Sequence, residues 1–266
     1  MLPRLTMLGA MSLLMMAASP EAPREDATAN CLFDSWCSSR LDPAVPVFLS
    51  WEDPAVIDQP DWDSVLDRNV ERFTLPRGLL PGVAKPDCAI VGGSRNLLGS
   101  GYGPLIDSHP VVMRINHAER KGYEADVGRR ATHHFLKFRS QGWVTLDPDS
   151  VIVYRVDTRD GLSQLDFTWR KDGLLVLHPD FQHYVFERWL DESFPPSSGL
   201  DAILIGLYEC GTIDVFGFGA NADGCWDHYF SDFVECPAQE PTIDRETAIR
   251  NELEARKIIR VFPGNR

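Results

Sequence analysis

From Cys88 onward, short apolar runs alternate with longer segments that suit helices. The runs of aliphatic and β-branched residues are bounded by glycine, proline or charged residues, and this pattern predicts buried strands. The predicted strands lie at residues 88–93, 111–115, 151–156, 174–178, 212–219 and 258–262, and the predicted helices at residues 181–190, 199–210 and 245–257. Strands that alternate with helices predict an α/β fold with a mostly parallel sheet flanked by helices.

The first 85 residues follow a different pattern. Residues 5–18 form an apolar run behind Arg4. This run is short for a bilayer span and suits a signal peptide or signal anchor at residues 1–20; the alternative is an apolar helix docked on the domain. Residues 21–85 are rich in proline, aspartate and tryptophan, and the prolines interrupt any long helix. We therefore expect a stem and irregular collar there, followed by one folded domain at residues 86–266.

Composition and charge narrow the class of protein. With 266 residues, of which 44% are hydrophobic, the chain can bury one sizeable core. Its formal net charge of −13 argues against a nucleic-acid binder, which needs a basic face. Its six cysteines could pair in an oxidising lumen, although six thiols also suit a reduced cytosolic protein. No cysteine and histidine cluster has zinc-finger spacing.

A glycine-rich loop, VGGSRNLLGSGYG, occupies residues 91–103, directly after the first predicted strand. In a parallel sheet, such loops lie where backbone N–H groups can approach a phosphate, but many are only turns. The loop contains neither the GxxxxGK[ST] pattern nor the GxGxxG pattern. A phosphate site without either signature suggests a nucleotide-sugar donor.

The sequence from Cys88 to Phe135 closely resembles the long sialylmotif of the eukaryotic-type sialyltransferases. It contains the motif's cysteine, a VGNSGNL-like loop, an IDSH segment, an MRxN segment and a segment similar to DVGxxTTHH. Residues 196–230 are similar to the short sialylmotif and to the His-Tyr motif that follows it. Residues 174–190 resemble the β-galactoside α-2,3-sialyltransferase branch. The resemblance extends from Cys88 to the C-terminus, with a shortened middle.

This resemblance implies a single Rossmann-like nucleotide-sugar transferase domain that works without a metal. It implies inverting transfer of sialic acid, or a related keto-acid sugar, from a donor linked to cytidine monophosphate (CMP). The implied acceptor is a galactose-terminated glycan on a glycoprotein or glycolipid. CMP-sialic acid is then a substrate, and no cofactor is expected. The resemblance also implies a location in the Golgi lumen, with the N-terminal segment as the membrane anchor, or secretion if that segment is cleaved.

Matching the motifs residue by residue implies a donor site built from several loops. The asparagines match family positions that hold the nucleotide, and an amide can both donate and accept hydrogen bonds. The serines open a predicted helix, whose N-terminus suits an anion, although a helix N-cap after Pro196 is an equally good interpretation of Ser197. The implied donor-binding residues are Gly92, Ser94, Asn96, Asn116, Ser197, Ser198, Gly199 and Gly219.

Several histidines and one acidic pair are candidates for chemistry. His228 matches the family histidine that hydrogen-bonds the donor phosphate. An imidazolium there would offset the charge that arrives on CMP as the glycosidic bond breaks; outside this motif, such a histidine is more often structural. We interpret His133 and His134 as architectural. The segment Asp147–Asp149 imitates a metal-binding Asp-x-Asp motif, but its central proline favours an acidic turn.

The sequence departs from the family pattern at three positions near the donor loops. Gly93 stands where the family loop has an asparagine, Arg95 where it has a small residue, and Pro195 where it has a tyrosine. The guanidinium of Arg95 is a candidate for an extra phosphate or carboxylate contact, because its donors form a fork.

A further departure concerns the catalytic base. In the family, a histidine followed five residues later by a glutamate takes the proton from the acceptor hydroxyl. Alignment without gaps places the glutamate at Glu246 and the histidine at Pro241, and no histidine follows His228. A carboxylate can serve as the base, so we take Glu240 or Asp244 as the substitute. The alternative is a non-catalytic or weakly active relative that binds CMP-sugars or glycans.

The resemblance also implies a disulfide. Cys88 and Cys210 match the family cysteines that join the two sialylmotifs. Cys31 with Cys37 and Cys225 with Cys236 are candidates for local pairs.

Overall fold

The computed structural model describes residues 26–48, 79–80, 82–137, 146–155, 174–220, 225–232, 234–235 and 241–264. Residues 1–20, where we expect a signal peptide or anchor, lie outside this part. Within it, no helix is both long and apolar enough to cross a membrane. The helices are α1 (Ala27–Phe33), α2 (Ser35–Ser38), α3 (Gly103–Asp107), α4 (Glu124–Val127), α5 (Pro179–Arg188), α6 (Ser198–Glu209) and α7 (Pro241–Ala255). The strands are β1 (Cys88–Val91), β2 (Val111–Ile115), β3 (His133–Lys137), β4 (Val151–Arg155), β5 (Leu174–Val176), β6 (Ile213–Phe216), β7 (Trp226–Asp227), β8 (Val234–Glu235) and β9 (Arg260–Phe262).

Seven strands form one sheet in the order β5-β4-β3-β2-β1-β6-β9. All neighbouring pairs in it run parallel, and Cys88 of β1 is level with Val111 of β2 and Ile213 of β6. Strands β7 and β8 form a separate antiparallel pair. The predicted α/β fold with a mostly parallel sheet is confirmed. Parallel strands are covered on both faces and read as continuous aliphatic runs, which explains why β1 and β2 were recognisable.

Helix α6 is the most deeply buried helix of the core. Nine of its twelve residues are buried, and it contacts β1, β2, β3 and β6 of the sheet. Full burial of one leucine or isoleucine side chain is worth about 1.5–3 kcal/mol. This helix therefore anchors its own N-terminus firmly against the sheet.

The structure differs from the expected domain boundary at residue 86. Residues 26–48 carry α1 and α2, and Cys31, Cys37 and Leu41 belong to the hydrophobic core. The backbone N–H of Ala27 donates to the carbonyl of Gly211 at 2.7 Å. The described part of the expected stem and collar is thus packed on the domain, because α6 is apolar on all sides and α1 packs against it.

Two disulfides are fully described. Cys88 and Cys210 are bonded across a sequence separation of 122 residues, with their Cα atoms 6.0 Å apart, as the resemblance implied. This bond ties β1 to the end of α6. Cys31 and Cys37 form a second, local bond. Cys225 is also disulfide-bonded, whereas its predicted partner Cys236 lies outside the described residues.

Candidate functional site

The candidate site lies where the strand order reverses, at the carboxyl ends of β1 and β6. Ligands of open parallel sheets bind in the crevice that opens at such a position. The loops after the two strands are hydrogen-bonded to each other. The N–H of Gly92 donates to the carbonyl of Phe216 at 2.8 Å, and the N–H of Ser94 donates to the carbonyl of Gly217 at 3.0 Å.

Side chains join the same two loops a second time. The hydroxyl of Ser94 donates to the carbonyl of Gly219 at 2.7 Å, and the side-chain amide of Asn96 donates to the carbonyl of Phe218 at 3.0 Å. The Asn96 Oδ1 atom is buried and has no hydrogen-bond partner among the residues that the structure describes. The loops therefore form one unit that retains an unused acceptor.

Two glycines allow this close contact. A Cβ atom at Gly92 would lie 2.4 Å from the carbonyl oxygen of Gly217, which is closer than atoms can approach without displacing the backbone. Gly219 has a φ of +104°, in a region that side chains rarely permit. Both glycines were predicted site residues, and the structure brings them together.

The N-terminus of α6 joins these loops through Phe218. A Cβ atom at Gly199 would lie 2.8 Å from Cε1 of Phe218, so this ring lies directly on the first turn of α6. Ser197 is the N-cap, and its hydroxyl accepts from the N–H of Leu200 at 3.2 Å. The Ser198 hydroxyl is buried and has no partner in the described part of the chain. Ser197 is thus a helix cap, the simpler of its two interpretations, and Ser198 retains its hydrogen-bonding capacity.

Glu246 of α7 also binds Ser197. The Ser197 N–H donates to Oε1 of Glu246 at 2.6 Å, and the Ser197 hydroxyl donates to Oε2. Burial raises the pKa of Glu246, although these hydrogen bonds oppose the shift. This contact attaches α7, which includes the predicted base Asp244, to the start of α6.

A buried ion pair between Arg155 and Asp201 stabilises the start of α6. Arg155, at the end of β4, donates from Nη1 to Oδ2 of Asp201 at 2.7 Å and also to the carbonyl of Pro196. Both charged side chains are almost fully buried. A buried arginine with these partners holds the loop before α6 in one position.

Asn116 directly follows β2, the neighbour of β1, and so lies at the same edge of the sheet. Its φ of +52° is left-handed, a conformation that asparagine tolerates. Its N–H donates to the carbonyl of Phe135 at 2.8 Å. The ring centroid of the following residue, His117, lies 5.2 Å from that of Phe230, and the Phe230 centroid lies 5.1 Å from that of His228. The Asn116 loop and the His228 segment are therefore neighbours.

His228 lies over the β1 loop. Residues Ser94 and His228 form an antiparallel bridge, and the N–H of Tyr229 donates to the carbonyl of Gly93 at 3.0 Å. A Cβ atom at Gly93 would lie 2.6 Å from Cδ2 of His228. The glycine that replaces the family's asparagine thus makes room for this imidazole.

The surroundings of His228 affect its protonation. Desolvation of the ring lowers the pKa of His228 below its ordinary value of 6.5, and the charge of Asp227 only partly opposes this. The imidazole is therefore mainly neutral at pH 7 before a ligand binds.

Arg95 is engaged within the protein. Its Nε lies 2.7 Å from Oδ2 of Asp227, and its Nη2 donates to the carbonyl of Ser231 at 2.8 Å. These contacts connect the β1 loop to both sides of His228. Arg95 thus positions the His228 segment, which is a different role from the phosphate contact that we considered.

The candidate bases lie at the start of α7. Pro241 is the first residue of this helix, Asp244 is exposed in its first turn, and Glu240 lies outside the described residues. Asp244 is two residues before Glu246, which contacts Ser197. Of the two predicted substitutes, the structure therefore locates only Asp244, near the edge of the site.

The histidine pair is part of the sheet, as we interpreted it. His133 and His134 are buried in β3, and Nε2 of His133 lies 2.7 Å from the carbonyl of Leu79. His134 lies 3.7 Å from Asp147, and Asp147 makes a two-point ion pair with Arg120. Asp147 therefore stabilises a turn. In the described part of the chain, no group of three or more histidine, cysteine or acidic residues could hold a metal ion.

Sequence reasoning missed several residues that shape the site. Phe218 and Arg155 gave no signal in the sequence, because their roles depend on which loops meet. Asp201 did give one, since an acid within the apolar part of a helix requires a buried partner. Glu246 was aligned with the family's glutamate, but its contact with Ser197 was not anticipated.

Comparison with known proteins identifies relatives of this chain. Residues 80–160 and 155–258 match glycosyltransferase family 29 (sialyltransferase). CMP-N-acetylneuraminate-beta-galactosamide-alpha-2,3-sialyltransferase 1 of Sus scrofa is 34% identical over 198 residues, which cover 66% of this chain and 58% of the relative. The Homo sapiens protein of the same name is 34% identical over 202 residues, with the same coverage. The crystal structure of a mammalian sialyltransferase in complex with Gal-beta-1-3GalNAc-ortho-nitrophenol matches with a TM-score of 0.68 and 28% identity, covering 87% of this chain and 95% of that one.

The chain spans about 58% of the length of the first two curated relatives. The family match nevertheless includes the β1 loop, the Asn116 loop, the start of α6, the His228 segment and α7. Because the matched residues contain all the elements that meet at the candidate site, the chain belongs to glycosyltransferase family 29, the sialyltransferases.

Proposed function

We propose that this protein transfers sialic acid, or a related keto-acid sugar, from a CMP-linked donor to a galactose-terminated glycan, with inversion and without a metal. The observation that carries the proposal is the union of the β1 loop, the β6 loop and the start of α6 at one edge of the sheet. Backbone N–H groups and a helix N-terminus together suit a nucleotide phosphate.

Unused polar groups support a nucleotide as the ligand. Asn96 Oδ1 and Ser198 Oγ are both buried without a partner in the described residues. Leaving such groups unpaired costs about 1–3 kcal/mol each, and ribose hydroxyls or base amines can satisfy them. Since a site that reads polar groups rejects a ligand that lacks them, we expect CMP to bind more tightly than uridine or purine nucleotides.

In the proposed reaction, an acceptor hydroxyl attacks the anomeric carbon and the bond from that carbon to the phosphate oxygen breaks. The electron pair of this bond leaves with CMP. His228 stabilises the departing phosphate. The single negative charge of the bound phosphodiester raises the pKa of the ring, which takes up a proton from solvent, and the resulting imidazolium offsets the second charge that CMP gains as the bond breaks. The neutral His228 of the unliganded protein thus becomes charged as the donor binds.

A carboxylate accepts the proton of the attacking hydroxyl. We assign this role to Asp244 or Glu240, since the family's histidine position is Pro241 and proline cannot accept a proton. Asp244 is exposed, so an acceptor can reach it. General-base assistance is typically worth about 10²–10⁴ in rate.

The acceptor and the location are part of the same proposal. The curated relatives are named for a beta-galactosamide acceptor and an alpha-2,3 linkage. We propose a galactose-terminated glycoprotein or glycolipid glycan as the acceptor here, with no nucleic-acid partner. We also propose that the protein works in the Golgi lumen, with membrane contact only through its N-terminal segment.

The test is transfer by the full chain from CMP-sialic acid to a galactose-terminated oligosaccharide, followed by mass spectrometry of the product. We expect a sialylated product and equal rates with and without EDTA. Tight CMP binding without turnover would identify the non-catalytic alternative. Absence of both binding and turnover would overturn the proposal.

A further inference from the structure

Arg250 brings a positive charge to the donor loops. It lies on α7, one helical turn after Glu246, and faces the loop that follows β6. An ideal Cβ atom on Gly219 would lie 3.7 Å from Nη1 and 3.8 Å from Nη2 of Arg250. Gly219 is the residue whose carbonyl accepts from Ser94. The guanidinium is therefore next to the joined loops of the site.

The surroundings of Arg250 leave much of its hydrogen-bonding capacity unused. Its Nε is buried and has no hydrogen-bond partner in the described part of the chain, and its Nη2 donates to Oδ1 of Asn251 at 3.2 Å. Burial lowers the pKa of Arg250, with partial opposition from the charge of Glu254. An arginine still carries its charge at neutral pH, so a partly desolvated cation with unused donors faces the site.

The other cationic side chains around these loops are already occupied. Arg95 pairs with Asp227, and Arg155 pairs with Asp201. His228 has a lowered pKa. Arg250, in contrast, makes no ion pair with a carboxylate in the described part of the chain. A desolvated guanidinium without such a partner gains most from a bidentate oxyanion.

We propose that Arg250 binds an anionic group of the CMP-linked donor, either the phosphate or the carboxylate of the sugar. Both groups present two oxygen atoms that fit the guanidinium fork. This inference rests on the proposed function and adds a binding residue to it. If the group is the phosphate, Arg250 also offsets the charge that CMP gains when the bond to the anomeric carbon breaks.

The test is calorimetry of three ligands with the full-length wild-type chain and three variants. Cytidine lacks both anionic groups, CMP carries the phosphate, and CMP-sialic acid carries both. The variants are Arg250→Gln, Arg250→Lys and the control Arg245→Gln. Arg245 is an exposed residue of the same helix that pairs with Asp191, so its replacement removes the same charge at another place.

A phosphate contact predicts that Arg250→Gln weakens CMP binding about 10- to 100-fold, the range for a charged hydrogen bond, while cytidine binding is unchanged. A carboxylate contact predicts unchanged CMP binding and an equal loss for CMP-sialic acid. We expect a smaller loss for Arg250→Lys, which keeps the charge and loses the fork, and none for Arg245→Gln.

Two results would overturn the inference. One is wild-type affinity of Arg250→Gln for all three ligands. The other is a parallel loss for cytidine and CMP, which would mean that Arg250 supports the fold of the loops. Wild-type protein that binds none of the ligands would instead overturn the proposed function, and this inference with it.

Discussion

The pair of Arg95 and Asp227 provides a quantitative test of how the His228 segment is held. The side chain of Asp227 is 2% exposed and that of Arg95 is 38% exposed. Arg95→Met therefore removes one ion-pair contact from a buried carboxylate. Loss of one member of a fully buried pair costs about 3–5 kcal/mol, and the exposure of Arg95 reduces this to about 2–3 kcal/mol through solvent screening.

For a chain of this size, such a loss lowers the Tm by roughly 2–4 °C for each kcal/mol. Asp227→Asn removes the same attraction. Because Arg95 is partly exposed and its charge can be solvated, we expect a smaller loss of stability than for Arg95→Met. In the double variant, neither charge of the Arg95–Asp227 pair remains. The two single losses therefore exceed the loss in the double variant by about 0.5–3 kcal/mol, the usual coupling between contacting residues.

The assays are urea unfolding of all three variants and steady-state kinetics of the proposed sialyl transfer. Because Arg95 also bonds to the carbonyl of Ser231, we expect Arg95→Met to displace His228 and lower kcat about 10- to 100-fold. Arg188→Met, an exposed change on α5, is the control and should leave both quantities unchanged. Strictly additive stability losses, or an unchanged kcat in Arg95→Met, would refute the positioning role.

Three further predictions follow from the disulfide, a buried histidine and the start of α7. Cys88→Ser opens the 122-residue link and should cost about 4–5 kcal/mol of unfolding free energy, measured by urea titration. Burial alone would lower the pKa of His109, but the hydrogen bond and charge of Asp214 raise it above 6.5. The contribution of protonated His109 to the unfolding free energy is then complete below pH 6.5 and is lost as the pH rises through the folded-state pKa. His109→Gln should remove this pH dependence of the unfolding free energy. Asp244→Asn should lower kcat about 10²- to 10⁴-fold if Asp244 is the base, and rescue of an inert wild type by Pro241→His would instead favour a degenerate enzyme.

The order of elements was recognisable because it depends on local pattern. Strand β1 is a continuous apolar run and β2 is apolar apart from Arg114, and the Gly92 loop follows β1 directly. The pairing of Cys88 with Cys210 followed from the family motifs. In contrast, the packing of α1 was not expected. The prolines and acids of residues 21–85 obscure the pattern of this short helix, and its apolar side is buried only because α6 packs against it.

For the candidate site too, some features follow from the sequence and others depend on the tertiary structure. The sequence by itself determined which loops carry the glycines, amides and serines, because each follows a strand or opens a helix. Only the tertiary structure decided that Arg95 binds Asp227, that Glu246 binds Ser197 and that Arg250 faces Gly219. These contacts join residues that are 31 to 132 positions apart, and their existence depends on the strand order, which brings the ends of β1 and β6 together with α7. Local pattern does not encode that order; the burial of the whole core selects it.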